Sequence, residues 1–457
     1  MNLFNIAYSG LQAARTGLNI TANNISNVRT PGYSRQRMLQ YAIAPGNFQG
    51  RLSSGDGVGI SGIQRIADQY RIGQVWSSTT GLGYHEQGQL YFDGLETKIS
   101  SDSSGLRSGF DNFFNALKSA SEKPDEKTGR GKILDEAKSL ATRINGLQKY
   151  IQTQKSDIRK QQQEMAGTIN SLNKNIAQYN VKIREAEARG DDTSALRDGR
   201  DEQVKSLSEL VDVRVNENAK GEYDVTLPDG HPLVSGSDSS ELKMRAGAGG
   251  EFSMVVKFLG TESQVDMSCG GKLGALYDYQ KETLKPVEDK LPGIVETFTK
   301  AINDQLGKGF DLNGAPGKPL FTFDLDNPQG MLKVNDLQAD DLAFSSESGV
   351  KGNNKNLLEL IKIKTATFDI PNSGKTSLDD ASNSLINHVA TKSRQNQEDL
   401  KSAADLAQSA QDSRDSYSGV DYDQEYVNMN DYTQAYQANS KVIATGNEIF
   451  NSLLSLF

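Results

Sequence analysis

Residues 420–457 read VDYDQEYVNMNDYTQAYQANSKVIATGNEIFNSLLSLF, and no proline interrupts them. Apolar side chains recur in this stretch every seven residues, which places them on one face of a single long helix. Three adjacent columns share the spacing: Met429, Tyr436, Ile443, Phe450 and Phe457; Ala435, Val442, Ile449 and Leu456; and Tyr432, Asn439, Gly446 and Leu453. Such a wide apolar stripe requires a partner helix that covers it.

A second heptad pattern, at residues 3–28, supplies that partner. One of its columns is large and apolar and the next is mostly small: Phe4, Leu11, Leu18 and Ile25; then Ala7, Ala14, Thr21 and Val28. Small side chains allow another helix to approach closely. Because the chain leaves through one helix and returns through the other, the pattern predicts an antiparallel pair. Alternatively, both stretches are ordinary core helices of one globule.

The two ends of the chain carry opposite charge. Residues 1–40 contain four arginines and no acid, a net charge of +4, whereas residues 421–457 contain five acids against one lysine, a net charge of −4. Charge complementarity of this kind steers association and sets register more than it stabilises. The pairing of the two ends is therefore favoured electrostatically as well as by their apolar columns.

Composition excludes several classes of partner. A net charge of −9 disfavours nucleic acid. No basic segment followed by an apolar core marks a secretory signal peptide, and no run approaches the roughly 18 apolar residues of a membrane span. The acids of the last helix oppose binding to anionic lipid. Cys269 is the single cysteine, so an intrachain disulfide is impossible. We expect neither nucleic acid binding nor membrane insertion.

The middle of the chain combines a long helix with short strands. The longest seven-residue column predicts a helix of about 80 Å at 1.5 Å per residue; its members are Ala137, Ile144, Ile151, Ile158, Met165, Leu172, Tyr179 and Ala186. Gln154, Gln161 and Gln162 interrupt the neighbouring column, so looser packing is expected there. Alternating apolar residues within 211–270 predict a small antiparallel β module.

The predicted fold is mainly α with an inserted β module, arranged as a nested multidomain rod. Three domains are expected: a terminal coiled-coil domain (1–40 with 420–457), a helical rod domain (41–210 with 271–310 and 375–419) and an outer β domain (211–270 with 311–374).

Chemistry-bearing motifs are weak in this sequence. Residues 55–62, GDGVGISG, have the glycine spacing of a dinucleotide loop, but Val58 and Ile60 alternate as in a strand. His85 and Glu86 begin a zinc-protease pattern whose second histidine is replaced by Gln89. We therefore predict no catalytic residues, no cofactor, no metal site and no enzymatic activity.

One motif resembles a known family. Residues 22–36, ANNISNVRTPGYSRQ, are similar to the signature of bacterial flagellar axial proteins, and the ending YSRQ resembles the hook-associated proteins of the hook–filament junction. Similar segments are RDGRDEQVKSLSELVDVRV at 197–215, GFDLNGAPGKPLF at 309–321, and the stretch from 418 to 454. Two alternatives stay open: another axial protein of hook or rod, and a surface adhesin or enzyme that uses flagellar termini for export.

The resemblance implies a secreted structural protein of the extracellular flagellum. It implies export in unfolded form through the flagellar channel without a cleaved signal peptide, and a chaperone that binds the C-terminal helix before export. The implied partners are further copies in a ring or tube segment, the hook protein, and a second junction protein on the filament side.

Two sets of residues follow as hypotheses. Subunit packing is assigned to apolar and small residues of the terminal helices: Leu11, Leu18, Ile25, Met429, Tyr436, Asn439, Ile443, Phe450 and Leu453. An elbow between the terminal pair and the rod is assigned to the motif residues Asn24, Asn27, Pro31, Gly32 and Tyr33.

Overall fold

The computed structural model describes residues 2–44, 55–101, 105–246 and 252–455. Its helices, in chain order, are α1 (Asn2–Asn27), α2 (Gln69–Ser100), α3 (Leu106–Ala120), α4 (Lys127–Arg189), α5 (Ser194–Leu210), α6 (Gly271–Tyr279), α7 (Lys285–Gly307), α8 (Lys355–Lys362), α9 (Leu378–Ser418) and α10 (Tyr422–Leu454). The expected heptad helices are all present. The long central helix, α4, begins ten residues before Ala137, the first member of its heptad column, and Leu456 and Phe457 of the last columns lie outside the described residues.

The strands form small antiparallel sheets. They are β1 (Gln36–Ala42), β2 (Val58–Arg65), β3 (Arg214–Glu217), β4 (Tyr223–Thr226), β5 (Pro232–Ser235), β6 (Asp238–Ser239), β7 (Glu241–Ala246), β8 (Phe252–Phe258), β9 (Thr261–Val265), β10 (Phe321–Phe323), β11 (Leu332–Val334), β12 (Thr367–Ile370) and β13 (Gly374–Ser377). Sheets of four strands (β3–β6) and three strands (β7–β9) are accompanied by the hairpins β1–β2, β10–β11 and β12–β13. The prediction of a mainly α fold with inserted antiparallel strands is confirmed.

The chain divides into two compact units. Unit 1 comprises Met1–Leu82, Ala166–Gly271 and Ala403–Phe457, and unit 2 comprises Gly83–Met165 and Lys272–Ser402. Unit 1 therefore gathers both ends of the chain together with the sheets β3–β6 and β7–β9. The boundary within α4 follows shortly after Gln162, where glutamines replace the apolar residues of one column.

These units do not coincide with the three expected domains. The two predicted parts of the outer β domain, 211–270 and 311–374, lie in different units. The reason is local docking on α4. The amide of Asn170 exchanges two hydrogen bonds with the backbone of Leu242 in β7, and the amide of Asn145 does the same with Leu332 in β11. Each β segment is thus held by the part of α4 that belongs to its own unit.

Unit 2 is organised around a continuous apolar core. Five phenylalanine rings from α3, α7 and β10 stack edge to face or tilted, with centroids 5.2–6.3 Å apart: Phe110, Phe113, Phe114, Phe298 and Phe321. Aromatic pairs in this geometry add to the stabilisation from burial alone. A π-helical turn at Gln280–Leu284 separates α6 from α7. Helix α8 was not expected from the sequence.

Candidate assembly interface: the terminal helix pair and its elbow

Small residues of α1 form the contact with α10. Ala7, Ala14 and Thr21, which share one heptad column, are all buried. Gly10 and Gly17 lie beside them and allow close approach, because a Cβ atom at Gly10 would lie 2.7 Å from the Asn439 side chain. The close approach of α10 therefore occurs at Gly10 and Gly17, which lie next to the small column that the heptad pattern named.

Three contacts fix the direction and register of the pair. Phe4 lies against Gly446, Gly10 against Asn439, and Gly17 against the ring of Tyr432. Residue numbers rise along one helix as they fall along the other, so the pair is antiparallel, as predicted. The column Tyr432, Asn439 and Gly446 is the face of α10 that meets α1.

The predicted packing residues are divided between covered and exposed positions. Asn439 lies against α1. Leu11, Leu18, Ile25, Met429 and Ile443 are half-buried. Tyr436, Phe450 and Leu453 are exposed, by 38%, 57% and 53%. The predicted packing set is thus only partly covered within a single chain, since Tyr436, Phe450 and Leu453 remain on its surface.

The elbow begins at Asn24, which is buried at the end of α1. Its Nδ2 donates to the carbonyl of Gln36 at 2.9 Å, and its Oδ1 accepts from the Gln36 amide at 3.0 Å and from the Tyr33 hydroxyl at 2.8 Å. One side chain therefore ties the last turn of α1 to the first residue of β1. Burial, reinforced by the charges of Asp198 and Glu425, raises the pKa of Tyr33 to about 12.

The remaining motif residues shape the turn between α1 and β1. Asn27 Oδ1 accepts from the Thr30 hydroxyl at 3.1 Å, and the Asn27 carbonyl accepts from the Thr30 amide at 2.9 Å. Pro31 is exposed. Gly32 has φ of +75°, a left-handed conformation that favours glycine, and a Cβ there would lie 3.0 Å from Oε2 of Glu202. The five residues thus lie at the end of α1 and in the turn that follows it.

Charged residues that sequence reasoning missed hold this turn in place. Asp198 Oδ2 accepts from the Ser34 amide at 2.9 Å, and Asp198 Oδ1 lies 2.8 Å from Arg65, which also contacts Asp201 at 2.8 Å. Burial raises the pKa of Asp198, although Arg65 and the Ser34 amide oppose the shift. In the sequence, the segment RDGRD at 197–201 carries only a family resemblance, and nothing in it indicates which residues Asp198 and Asp201 contact.

Helix α9 contributes the other side of the elbow. Arg414 Nη2 donates to the carbonyl of Gly32 at 2.7 Å and to that of Tyr33 at 3.1 Å. The Arg35 amide donates to the Ser418 carbonyl at 2.8 Å, just before α10 begins. The elbow is thus a polar junction of α1, α5, α9 and the hairpin β1–β2.

Potential reactive groups stand apart from one another. His85 Nδ1 lies 2.9 Å from Asn396 Oδ1, His388 Nε2 lies 3.0 Å from the Glu282 carbonyl, and His231 lies beside Asp229. Among the described residues, no three His, Cys, Asp or Glu side chains are grouped to hold a metal ion. None of the described helices has the length and hydropathy of a membrane span.

Comparison with known families supports this architecture. The family model described as the flagellar hook-associated protein FlgK helical domain matches residues 92–321, half of the chain. This chain belongs to the flagellar hook-associated protein FlgK family. As a FlgK family member it is a structural component of the bacterial flagellum. Its two ends match models described as flagella basal body rod protein, at 4–33, and flagellar basal body rod FlgEFG protein C-terminal, at 411–456.

Individual relatives extend the match over the whole FlgK-type chain. It is 24% identical to flagellar hook-associated protein 1 of Escherichia coli (strain K12), with 100% of each chain covered. It is 23% identical to the protein of the same name from Bacillus subtilis (strain 168), covering 98% of this chain and 97% of the relative. The family resemblance noted in the sequence is confirmed.

A solved structure shares the fold. The flagellar hook junction protein FlgK from Burkholderia pseudomallei superposes with a TM-score of 0.65 at 15% identity, over 76% of this chain and 100% of that one. At this identity the likeness concerns the fold alone, and it agrees with a mainly α chain that carries inserted sheets.

Proposed function

We propose that this chain forms the junction between the flagellar hook and filament and thereby allows the filament to assemble. The observation that supports this most directly is the apolar surface left on a paired terminal helix: in α10, only Glu425 and Gly446 are buried among the described residues. A helix face of this kind is stabilised when further copies cover it. Membership of the hook-associated family agrees with such a role.

The partners follow from the same proposal. Copies of the chain assemble into a ring or tube segment through the terminal helices, with the hook protein on one side and a second junction protein on the filament side. An export chaperone binds the C-terminal helix before assembly, and its exposed apolar side chains suit that contact. The chain reaches the extracellular flagellum through the flagellar export channel.

We infer a structural rather than enzymatic role. The support is the dispersal of the histidines, each of which is engaged with a different neighbour.

Electron microscopy of a deletion strain tests the junction role. We expect cells that carry hooks of normal length without filaments, and we expect the intact gene to restore filaments. Loss of the hooks themselves would contradict the proposal and would indicate a hook or rod component instead. Normal filaments in the deletion strain would remove the junction role altogether.

A further inference from the structure

The end of α10 extends past the beginning of α1. Since Phe4 lies against Gly446, the antiparallel register places Asn2 beside about residue 448. Residues 449–454 add about 9 Å of helix with no α1 residue opposite. This segment carries Ile449, Phe450, Leu453 and Leu454, which are 52–58% exposed. We refer to these four residues as the apolar tip.

A groove of matching character lies further along the same unit. It has a volume of about 460 Å³ and is bounded by α1, α10 and the hairpin β1–β2. Among the residues that the structure describes, no charged side chain lines it; its walls include Ala13, Ala14, Met38, Ala42, Val58 and Tyr432. We refer to it as the hairpin groove. Its small and apolar walls suit large apolar side chains.

A single chain cannot fill its own hairpin groove with its own apolar tip. Ala435 lines the groove, and Ile449 lies fourteen residues later in one unbroken helix, about 21 Å along the axis. The apolar tip of the same chain is therefore excluded as an occupant of this groove. A second copy carries an uncovered apolar tip of the required chemistry.

We propose that the apolar tip of one copy docks in the hairpin groove of the next copy. This inference deepens the proposed function and rests on it, because it assumes that copies of this chain assemble with one another. Tip and groove are different surfaces, so the contact is heterologous. Repetition of a heterologous contact generates closed rings or helical arrays, as a tube segment requires.

Opposite charges on the two helices support a contact between copies. Arg15 and Arg29 of α1 form no ion pair among the described residues, and neither do Asp423, Asp431 and Glu448 of α10. The complementary charge of the two ends is therefore not neutralised within one chain. The acids of α10 in one copy can therefore attract the arginines of α1 in another copy. Such attraction weakens as salt is added.

Disulfide cross-linking between copies tests the geometry. Full-length Leu453→Cys is mixed with full-length Ala42→Cys under mild oxidation. Cys269 is buried and is present in every variant. We expect a heterodimer at a yield at least tenfold above that of a matched mixture of Thr445→Cys with Ala42→Cys, since Thr445 is exposed on α10 outside the apolar tip. Equal yields, or a predominance of Leu453→Cys homodimers, would overturn the proposal.

Sedimentation of charge variants tests the same contact without cross-links. Phe450→Asp alters only the tip and Ala42→Glu only the rim of the groove, and both positions are exposed. We expect each variant alone to self-associate at least tenfold more weakly than the wild type. Mixing the two should restore heterodimers, because one intact tip then meets one intact groove. A mixture as weak as its components would exclude a tip-to-groove contact.

The cross-linking experiment and the deletion strain test different claims, so one proposal can fail while the other stands. Hooks without filaments, combined with no specific cross-link, would leave the junction role standing and reject this docking. A specific cross-link in a strain whose deletion abolishes hooks would retain the docking and reject the junction role.

Discussion

Asparagine side chains fasten strands to helices throughout this chain. In each case the amide donates to the carbonyl and accepts from the N–H of one and the same residue; the pairs are Asn24 with Gln36, Asn145 with Leu332, Asn170 with Leu242, Asn180 with Tyr223 and Asn303 with Phe321. Helix backbone groups are already bonded within the helix, so a side chain must supply the missing partners of a docked strand. Asn24 makes this pair of hydrogen bonds with Gln36 at the elbow.

Replacing Asn24 with alanine should release the first residue of β1. The substitution leaves the buried N–H and carbonyl of Gln36 without partners, at a cost of about 2–3 kcal/mol. We expect the Gln36 amide to exchange with solvent roughly 30- to 150-fold faster, measured by hydrogen exchange. Asn19→Ala, at an exposed position earlier in α1, serves as the control. Equal exchange in the two variants would show that the Asn24 amide does not hold β1.

Tyr33 should make the elbow sensitive to alkaline pH. Its pKa is raised to about 12 when folded, chiefly by burial, from an ordinary value of 10.0. The folded state therefore holds the proton more tightly, and the stability that Tyr33 contributes is complete below pH 10 and declines as pH rises towards 12. The difference in unfolding free energy between wild type and Tyr33→Phe should shrink across this interval. A constant difference would contradict the assignment, since the other tyrosines titrate equally in both proteins.

At the level of elements, the contact of α1 with α10 depends on glycine at the crossing points. A Cβ at Gly17 would lie 2.5 Å from the Tyr432 ring. Gly17→Ala should therefore push the helices apart at a cost of about 1–3 kcal/mol, seen as faster hydrogen exchange along α1. Gly167→Ala in α4 meets no atom within 4 Å and should instead stabilise by about 0.5–1 kcal/mol. We expect the change in stability to be negative for Gly17→Ala and positive for Gly167→Ala. Loss of stability in both variants would refute the role of Gly17 at the crossing point.

Periodicity predicted the elements better than their contacts. The heptads of α1, α4 and α10 located long helices, because apolar spacing is a local property. The partners of Asp198, Arg65 and Arg414 could not be predicted in this way, since they are separated by more than a hundred residues and meet only after folding. The heptad spacing also could not show which column of α10 faces α1. Three columns share the spacing, and only the glycine contacts select Tyr432, Asn439 and Gly446.

Considered as a whole molecule, the chain assigns each β segment to a unit according to the part of α4 on which the segment docks. The alternating strands of 211–270 and the mixed segment of 311–374 looked like halves of one β domain. The structure instead separates them, because Asn170 and Asn145 lie on different parts of α4. Composition could not distinguish one β domain from two, since both segments are short, polar and rich in turns.

Assembly should fail when a charge enters the shared face of α10. Ile443 is half-buried in the pair and belongs to the column that is predicted to pack between subunits. We expect Ile443→Asp to abolish filament growth while leaving sheets β3–β9 folded, assessed by electron microscopy of cells and hydrogen exchange of the purified protein. Thr445→Asp places the same charge on an exposed site two residues later and should be tolerated. Full filaments with Ile443→Asp would remove this residue from the interface.

The antiparallel register of α1 and α10 also sets a time order. Nearly four hundred residues separate α1 from α10. Helix α1 is therefore synthesised long before α10 and has no partner until α10 follows. A chain that stops early, at any point before residue 422, emerges with α1 permanently single. Closure of the pair therefore requires a chain that extends as far as α10, and a copy that ends earlier leaves the side of α1 that carries Gly10 and Gly17 uncovered.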